Sequence, residues 1–221
     1  MTRIADSHIE LIDGDRGKNY PKQEELQESG HCLFLNAGNV TSDGFRFTDN
    51  QFISQERDSL LNKGKLCRND VVLTTRGTVG NCAFFDSDIP YDDIRINSGM
   101  MLVRADGTDF LPEYIYWFFR SDEARMQITA LTSGSAQPQL PKRDIQKINI
   151  SDATLDRQSK IVSILQSIDS KIRLNNQIND YLSYNSDDDV YNGCNQHYCC
   201  HDRYPFRAFQ HRFINSCRIT P

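Results

Sequence analysis

The chain has 221 residues, with 25 Lys and Arg against 30 Asp and Glu and a formal net charge of −5. That balance excludes coating nucleic acid by bulk charge, but not a local basic face, because binding depends on where the cations sit. No apolar run approaches the roughly 18 residues of a membrane span, and Met1-Thr2-Arg3-Ile4-Ala5-Asp6 lacks the apolar stretch of a signal peptide, so a cytoplasmic chain with no membrane contact is expected. In chain order, Ile9 to Ile12 and His31 to Asn36 read as short strands. Ser54 can cap a helix over Gln55 to Lys63, with Glu56 in the first turn and Gly64 just beyond. Val71 to Thr75 is a strong strand, and it turns through Arg76-Gly77-Thr78-Val79-Gly80 into a second one, Asn81 to Phe85. Met100 to Arg104 is another strand. Pro112 suits the first turn of a helix over Glu113 to Arg120, whose Tyr114, Tyr116, Trp117, Phe118 and Phe119 are read as core rather than as a stacking platform. Ser121 or Asp122 starts a second helix to about Thr129. Cys32, Cys67 and Cys82 are expected to be small buried hydrophobes.

A stiff polar loop, Gly134 to Lys142, leads through a short strand to a long amphipathic helix, Leu155 to Leu182. Ile161, Ile168, Asn175 and Leu182 recur every seven residues; Leu165, Ile172 and Ile178 fill the intervening positions. This is a coiled-coil-like seam, about 42 Å long at roughly 1.5 Å per residue. Asn175 interrupts it, as a polar residue does when it fixes register at some cost in stability. The alternative is that the helix packs on its own domain. The remaining tail, 183–221, has no Leu, Lys or Glu and no sustained period. Its Cys194, His197, Cys199, Cys200, His201 and Cys217 are zinc-type ligands at spacings that fit no zinc pattern. An adventitious or disordered extension without a metal is expected.

Known catalytic signatures are missing: no G-x-S-x-G, no Walker loop, no dinucleotide fingerprint, no H-E-x-x-H. Binding motifs are better represented. In Asp13 to Lys22, cations, an amide and an aromatic (Arg16, Lys18, Asn19, Tyr20) alternate with glycines that permit close backbone approach. Arg and Lys suit phosphates or a guanine edge, and Asn or Gln suits adenine. Thr75 to Asn81, with Arg76 and Thr78, and Arg95 to Gly99, with Asn97, have the same character. Solvated Gly-rich turns explain any one of these loops equally well. In Gly134 to Lys142, Pro138 and Pro141 stiffen the backbone around Gln137 and Gln139; the prolines either present these glutamines to DNA or set the path to the helix. Lys142, Arg143 and Lys147 follow.

These loops, in this order, followed by Gln158-Ser159-Lys160-Ile161-Val162 and Ile168-Asp169-Ser170-Lys171-Ile172, resemble the specificity subunit of type I restriction-modification enzymes over about residues 5 to 182. The resemblance implies an α+β target-recognition domain with short mixed and antiparallel sheets over 1–152, then a long coiled-coil-forming helix over 153–182. It implies double-stranded DNA as ligand, a modification (methyltransferase) subunit as partner, and a restriction subunit beyond it. S-adenosylmethionine and ATP would sit on those partners, none on this non-catalytic chain. Full-length members carry two domains and two antiparallel helices, whereas this chain has one of each, and Ser151 to Gln158 lacks the family's proline-rich approach to the helix. A truncated or recombined gene, whose product homodimerises on a bipartite inverted-repeat site, is the expectation. The alternative is a non-catalytic or silent-cassette protein that binds the modification subunit without specifying DNA. The residues expected near DNA are Arg16, Lys18, Asn19, Tyr20, Arg76, Thr78, Arg95, Asn97, Gln137, Gln139 and Lys142. Those expected on the partner helix are Ile161, Leu165, Ile168, Ile172, Asn175, Ile178 and Leu182.

Overall fold

The computed structural model describes residues 1–134 and 137–193, with side chains up to Leu182. The chain divides into two compact units, the first Met1–Asp169 and the second beginning at Ser170. Within the first unit the architecture is α+β, as expected.

Its centre is a four-stranded antiparallel sheet. Taking the strands in chain order, β1 is Thr2–Arg3, β2 Ile9–Asp13, β3 Cys32–Phe34, β4 Val40–Thr41, β5 Gly44–Phe45, β6 Phe52–Ile53, β7 Val71–Thr74, β8 Cys82–Phe84, β9 Ile94–Arg95, β10 Met100–Ala105 and β11 Asn149–Ile150. The central sheet has the order β2-β10-β7-β8. Successive side chains of a strand point to opposite faces, and here both faces are buried. Val71, Leu73, Met101 and Val103 face one core, with Leu11 and Cys82. Val72, Met100 and Leu102 face the other, with Leu33, Leu35, Ile94 and Ile96. This is why Val71-Val72-Leu73-Thr74 is an unbroken buried run rather than an alternating one.

Two helices close the first core: α2 (Pro112–Arg120) and α3 (Asp122–Leu131), which follow α1 (Gln55–Leu60) in the chain. Pro112 occupies the first turn of α2, and Tyr114, Ile115, Tyr116, Phe118 and Phe119 are buried, so the aromatic helix is core. Ser121 caps α3 by accepting from the Ala124 amide, and Ser54 caps α1 by accepting from Arg57. A smaller sheet, β6-β3-β9, covers the second core; β3 runs parallel to β9 and antiparallel to β6. The pair β4–β5 forms a separate hairpin. Strand β1 pairs with β11, Thr2 opposite Ile150, tying the N-terminus to the segment before the long helix.

After α4 (Lys142–Ile145), the long helix α5 runs Leu155–Gly193, starting where the sequence placed it and continuing past Leu182. The tail's candidate metal ligands, all beyond Gly193, lie outside the described residues. Cys32 and Cys82 are buried, as expected. Cys67 is exposed, a correction: it begins a turn in which its amide donates to Asp70 Oδ2 at 2.8 Å and its carbonyl accepts from the Asp70 amide at 3.0 Å, so the turn holds its backbone and leaves its thiol outside. No helix among the described residues is long and apolar enough to cross a membrane.

Candidate nucleic-acid interface

Three of the loops singled out in the sequence meet at one edge of the central sheet, and the fourth supports them from beneath. Leaving β2, the chain turns at Gly14, where an added Cβ would lie 2.3 Å from the Asn97 carbonyl oxygen, so only glycine permits the approach. Asp15 Oδ2 then accepts from the amides of Asn62 at 2.5 Å and Lys63 at 2.8 Å, fastening the loop's base. Leaving β7, the amides of Thr75 and Arg76 both donate to the Gly99 carbonyl, at 2.8 and 3.2 Å. Gln139 forms an antiparallel bridge with Arg76, and the Leu140 amide donates to the Thr75 carbonyl at 2.9 Å. Gln139 and Leu140 therefore run alongside Thr75 and Arg76 at the start of the 75–81 turn. Asn97 Oδ1 accepts from the Gly99 amide at 2.8 Å, which shapes the supporting turn.

Between these loops lies a cleft of about 330 Å³ lined by Asp13, Arg16, Thr75, Arg76, Met101, Gln139, Leu140, Pro141, Lys142 and Arg143. Four of the ten are cations and one is a carboxylate, in a chain whose net charge is −5. Arg16 Nη2 reaches Asp13 Oδ1 and the Ser98 carbonyl, both at 3.3 Å. Long bonds from one nitrogen leave the rest of the guanidinium fork open. Lys142 Nζ donates to the Leu11 carbonyl at 2.8 Å, anchoring its ammonium at the rim. A rigid, cationic, amide-bearing edge of this kind can hold phosphates and present arginine and glutamine to base edges.

The individual residues separate into groups. Arg16, Lys18, Arg76, Thr78, Gln137 and Lys142 are exposed on these loops, and Gln139 is half-buried in its bridge. Asn19 and Tyr20 lie beside them but have internal partners. Asn19 Nδ2 donates to the Leu60 carbonyl at 3.1 Å, and the Tyr20 ring packs edge-on against Phe34 at 5.6 Å. Arg143 joins the cleft, although in the sequence it stood out only as one of three cations after the loop.

Arg95 is a correction. It is only 5% exposed; its Nε donates to Asp58 Oδ1 at 2.5 Å and its remaining nitrogens to the carbonyls of Lys63, Asp58 and Leu61 at 2.7, 3.0 and 3.0 Å. All of these side-chain bonds hold the end of α1 and the residues just after it against β9. The sequence showed a polar loop at this position but not Asp58, its partner from α1. Lys65 Nζ completes the cluster, 2.8 Å from both Asp58 Oδ2 and Asp93 Oδ1. His31, Asp58 and Asp93 come close enough together to hold a cation, but the Lys65 ammonium bonds to both carboxylates there.

Burial pushes the Asp58 carboxyl up, but the hydrogen bonds and charges of Lys65 and Arg95 outweigh it and hold the group at about 2, below its ordinary 3.8. The stabilisation is fully present above about pH 4 and is lost as pH falls through 2, about 2 kcal/mol in all. Urea unfolding of the wild type between pH 5 and 2 should show this loss, and in Asp58→Asn the drop should shrink by that amount.

The long helix has two kinds of apolar residue. In its first turns Gln158 and Val162 are buried, and Ile161 is partly buried against the first core. Ile161 is therefore a correction to the partner seam, because it faces its own domain; Leu165 is also half-covered. Arg120 Nη2 lies 4.0 Å from Asp169. Further along, Ile164, Ile168, Ile172, Leu174, Ile178 and Leu182 are 46–61% exposed, and Asn175 is exposed with them.

Residues 9–184 match the family model described as the type I restriction modification DNA specificity domain. The chain is 23% identical over 171 residues to the type I restriction enzyme HindI specificity subunit of Haemophilus influenzae, covering 76% of this chain and 37% of that one. Its fold is similar to the S subunit of a type I restriction-modification system from M. genitalium, with a TM-score of 0.56 and 14% identity over 78% of this chain and 39% of the other. It is also similar to the HsdS subunit from Thermoanaerobacter tengcongensis, with a TM-score of 0.55 and 18% identity over 78% and 37%. The chain thus spans about two fifths of the length of these relatives.

Proposed function

Because this chain belongs to the family of type I restriction modification DNA specificity domains, we propose that it recognises a DNA sequence through the Arg16–Arg76–Gln139 cleft and itself performs no chemistry. The observation that carries this reading is the convergence of Arg16, Arg76, Lys142 and Arg143 on one fastened edge of an otherwise acidic protein. Residues 1–152 act as the reader. Arg16, Lys18, Arg76, Thr78, Gln137, Gln139 and Lys142 face the duplex. Asn19, Tyr20 and Asn97 shape the loops. Residues 153–182 act as a ruler, whose exposed Ile168, Ile172, Ile178 and Leu182 need an apolar partner.

That partner is the same helix of a second copy, antiparallel to the first. A two-fold dimer reads two half-sites of an inverted repeat, which a helix of about 42 Å would separate by roughly 12 base pairs. Asn175, within the exposed stripe, fixes the register. A modification subunit carrying S-adenosylmethionine docks on the assembly in the cytoplasm, and an ATP-driven restriction subunit can add to it. Placing a charge in the seam, Ile172→Asp, should convert the dimer to a monomer in light scattering while leaving the melting temperature of the reader nearly unchanged. A wild type that is monomeric at tens of micromolar contradicts the pairing.

The functional test is co-expression with a type I modification subunit, followed by methylation mapping of genomic DNA. The expected result is a new split, two-fold symmetric motif. Co-purification with the subunit and no new methylation would instead favour an interaction protein that does not specify DNA.

A further inference from the structure

Among the buried polar side chains of the described residues, α5 contributes only Gln158, which has no exposed surface. Its Oε1 accepts from the Leu111 amide at 2.8 Å, and its Nε2 donates to the carbonyls of Asp109 at 2.8 Å and Ala153 at 2.9 Å. One amide thus joins three places: the N-cap of α2, the segment leading into α5, and the first turn of α5 itself. The grip is reinforced on its far side, where Asp109 Oδ2 accepts from the His8 amide at 2.9 Å and meets His8 Nδ1 at 2.7 Å. Val162, one turn on, is buried by apolar contact. Apolar contact has no preferred direction, whereas amide hydrogen bonds weaken steeply when bent. Gln158 therefore supplies the hydrogen bonds that direct the first turn of α5, which Ile161 and Val162 pack against the core and Asp169, farther along, ties to Arg120 of α2.

We infer that Gln158 is a positioning residue: it fixes the angle at which the ruler helix leaves the reader and so sets the distance between half-sites. The inference rests on the paired reading above. The lever makes it consequential. From Gln158 to Leu182 the helix is about 36 Å long, so a swing of about 10° at the root moves its far end by roughly 6 Å, close to two base-pair steps at about 3.4 Å each.

The test compares wild type with Gln158→Leu, which keeps the side chain's bulk and removes its hydrogen bonds. Full-length protein is titrated against duplexes carrying two half-sites at graded spacings and against a duplex with one. Wild type should favour one spacing; Gln158→Leu should bind the single half-site as before and lose the spacing preference. An unchanged spacing optimum in the variant overturns the inference. Uniform weakening on every duplex also overturns it, because a purely structural role would have that effect. A wild type that binds DNA with no spacing preference sinks the paired reading, and the spacing claim with it. A second readout needs no DNA: spin labels at the exposed Glu24 and Gln166, in a background with Cys67, Cys194, Cys199, Cys200 and Cys217 all replaced by serine, report the reader-to-root distance within one chain. Gln158→Leu should broaden that distance distribution, and an unchanged width overturns the positioning role itself.

Discussion

Replacing Arg95 with alanine should lower the free energy of unfolding by about 3–5 kcal/mol, the usual cost of removing one partner from a buried ion pair. Two buried carbonyls, those of Asp58 and Leu61, and the part-buried one of Lys63 lose their donor at the same time. Lys65 still faces Asp58, which keeps the loss toward the lower end of that range. Arg95→Lys should recover little, since a single ammonium cannot replace a fork that reaches four acceptors. Urea denaturation measures the effect directly. A variant of normal stability that binds DNA poorly would return Arg95 to the interface and remove it from the framework.

The second large effect lies on the other side of the loops. The double variant Arg16→Ala, Arg76→Ala should cost about 2–6 kcal/mol of DNA binding, taking about 1–3 for each arginine that meets a base and assuming independence. Stability should change by less than about 1 kcal/mol, because these loops are fastened by bonds from backbone amides that neither guanidinium makes. The Arg76 amide on Gly99 and the Asp15 contacts with Asn62 and Lys63 survive both substitutions. The two single variants assign the roles. A loss confined to one base-pair position marks a base contact; a uniform loss with a shallower salt dependence marks a phosphate contact.

Comparing these two effects shows where the sequence was readable. Arg76 and Arg95 look alike as text, each next to a strand end and a Gly-containing polar turn. Nothing local distinguishes them. Arg95 goes inside because Asp58 on α1 is brought to it by the pairing of β3 with β9, and such long-range pairing leaves no period to read. Local signals did better. Ser54 and Ser121 cap their helices, Pro112 opens α2, and the β7–β8 hairpin pairs antiparallel, Val71 opposite Phe84. In the long helix the apolar repeat was legible, but Ile161 and Ile168 are equivalent in it. Which of them the domain covers depends on how α5 packs its first turns against the core, and neither residue type nor spacing encodes that. Gln158 escaped notice as a site for the same reason, since a glutamine in the first turn of an amphipathic helix ordinarily faces water.

The central claim, that the cationic loop edge reads a DNA sequence, is tested most directly by selection from a pool of randomised duplexes with the purified full chain at physiological salt, sequencing the bound fraction. The account predicts enrichment of a defined half-site, with the positions of strongest bias lost in the Arg16→Ala, Arg76→Ala variant. A bound fraction as random as the starting pool, or one whose bias the double variant leaves intact, would contradict it.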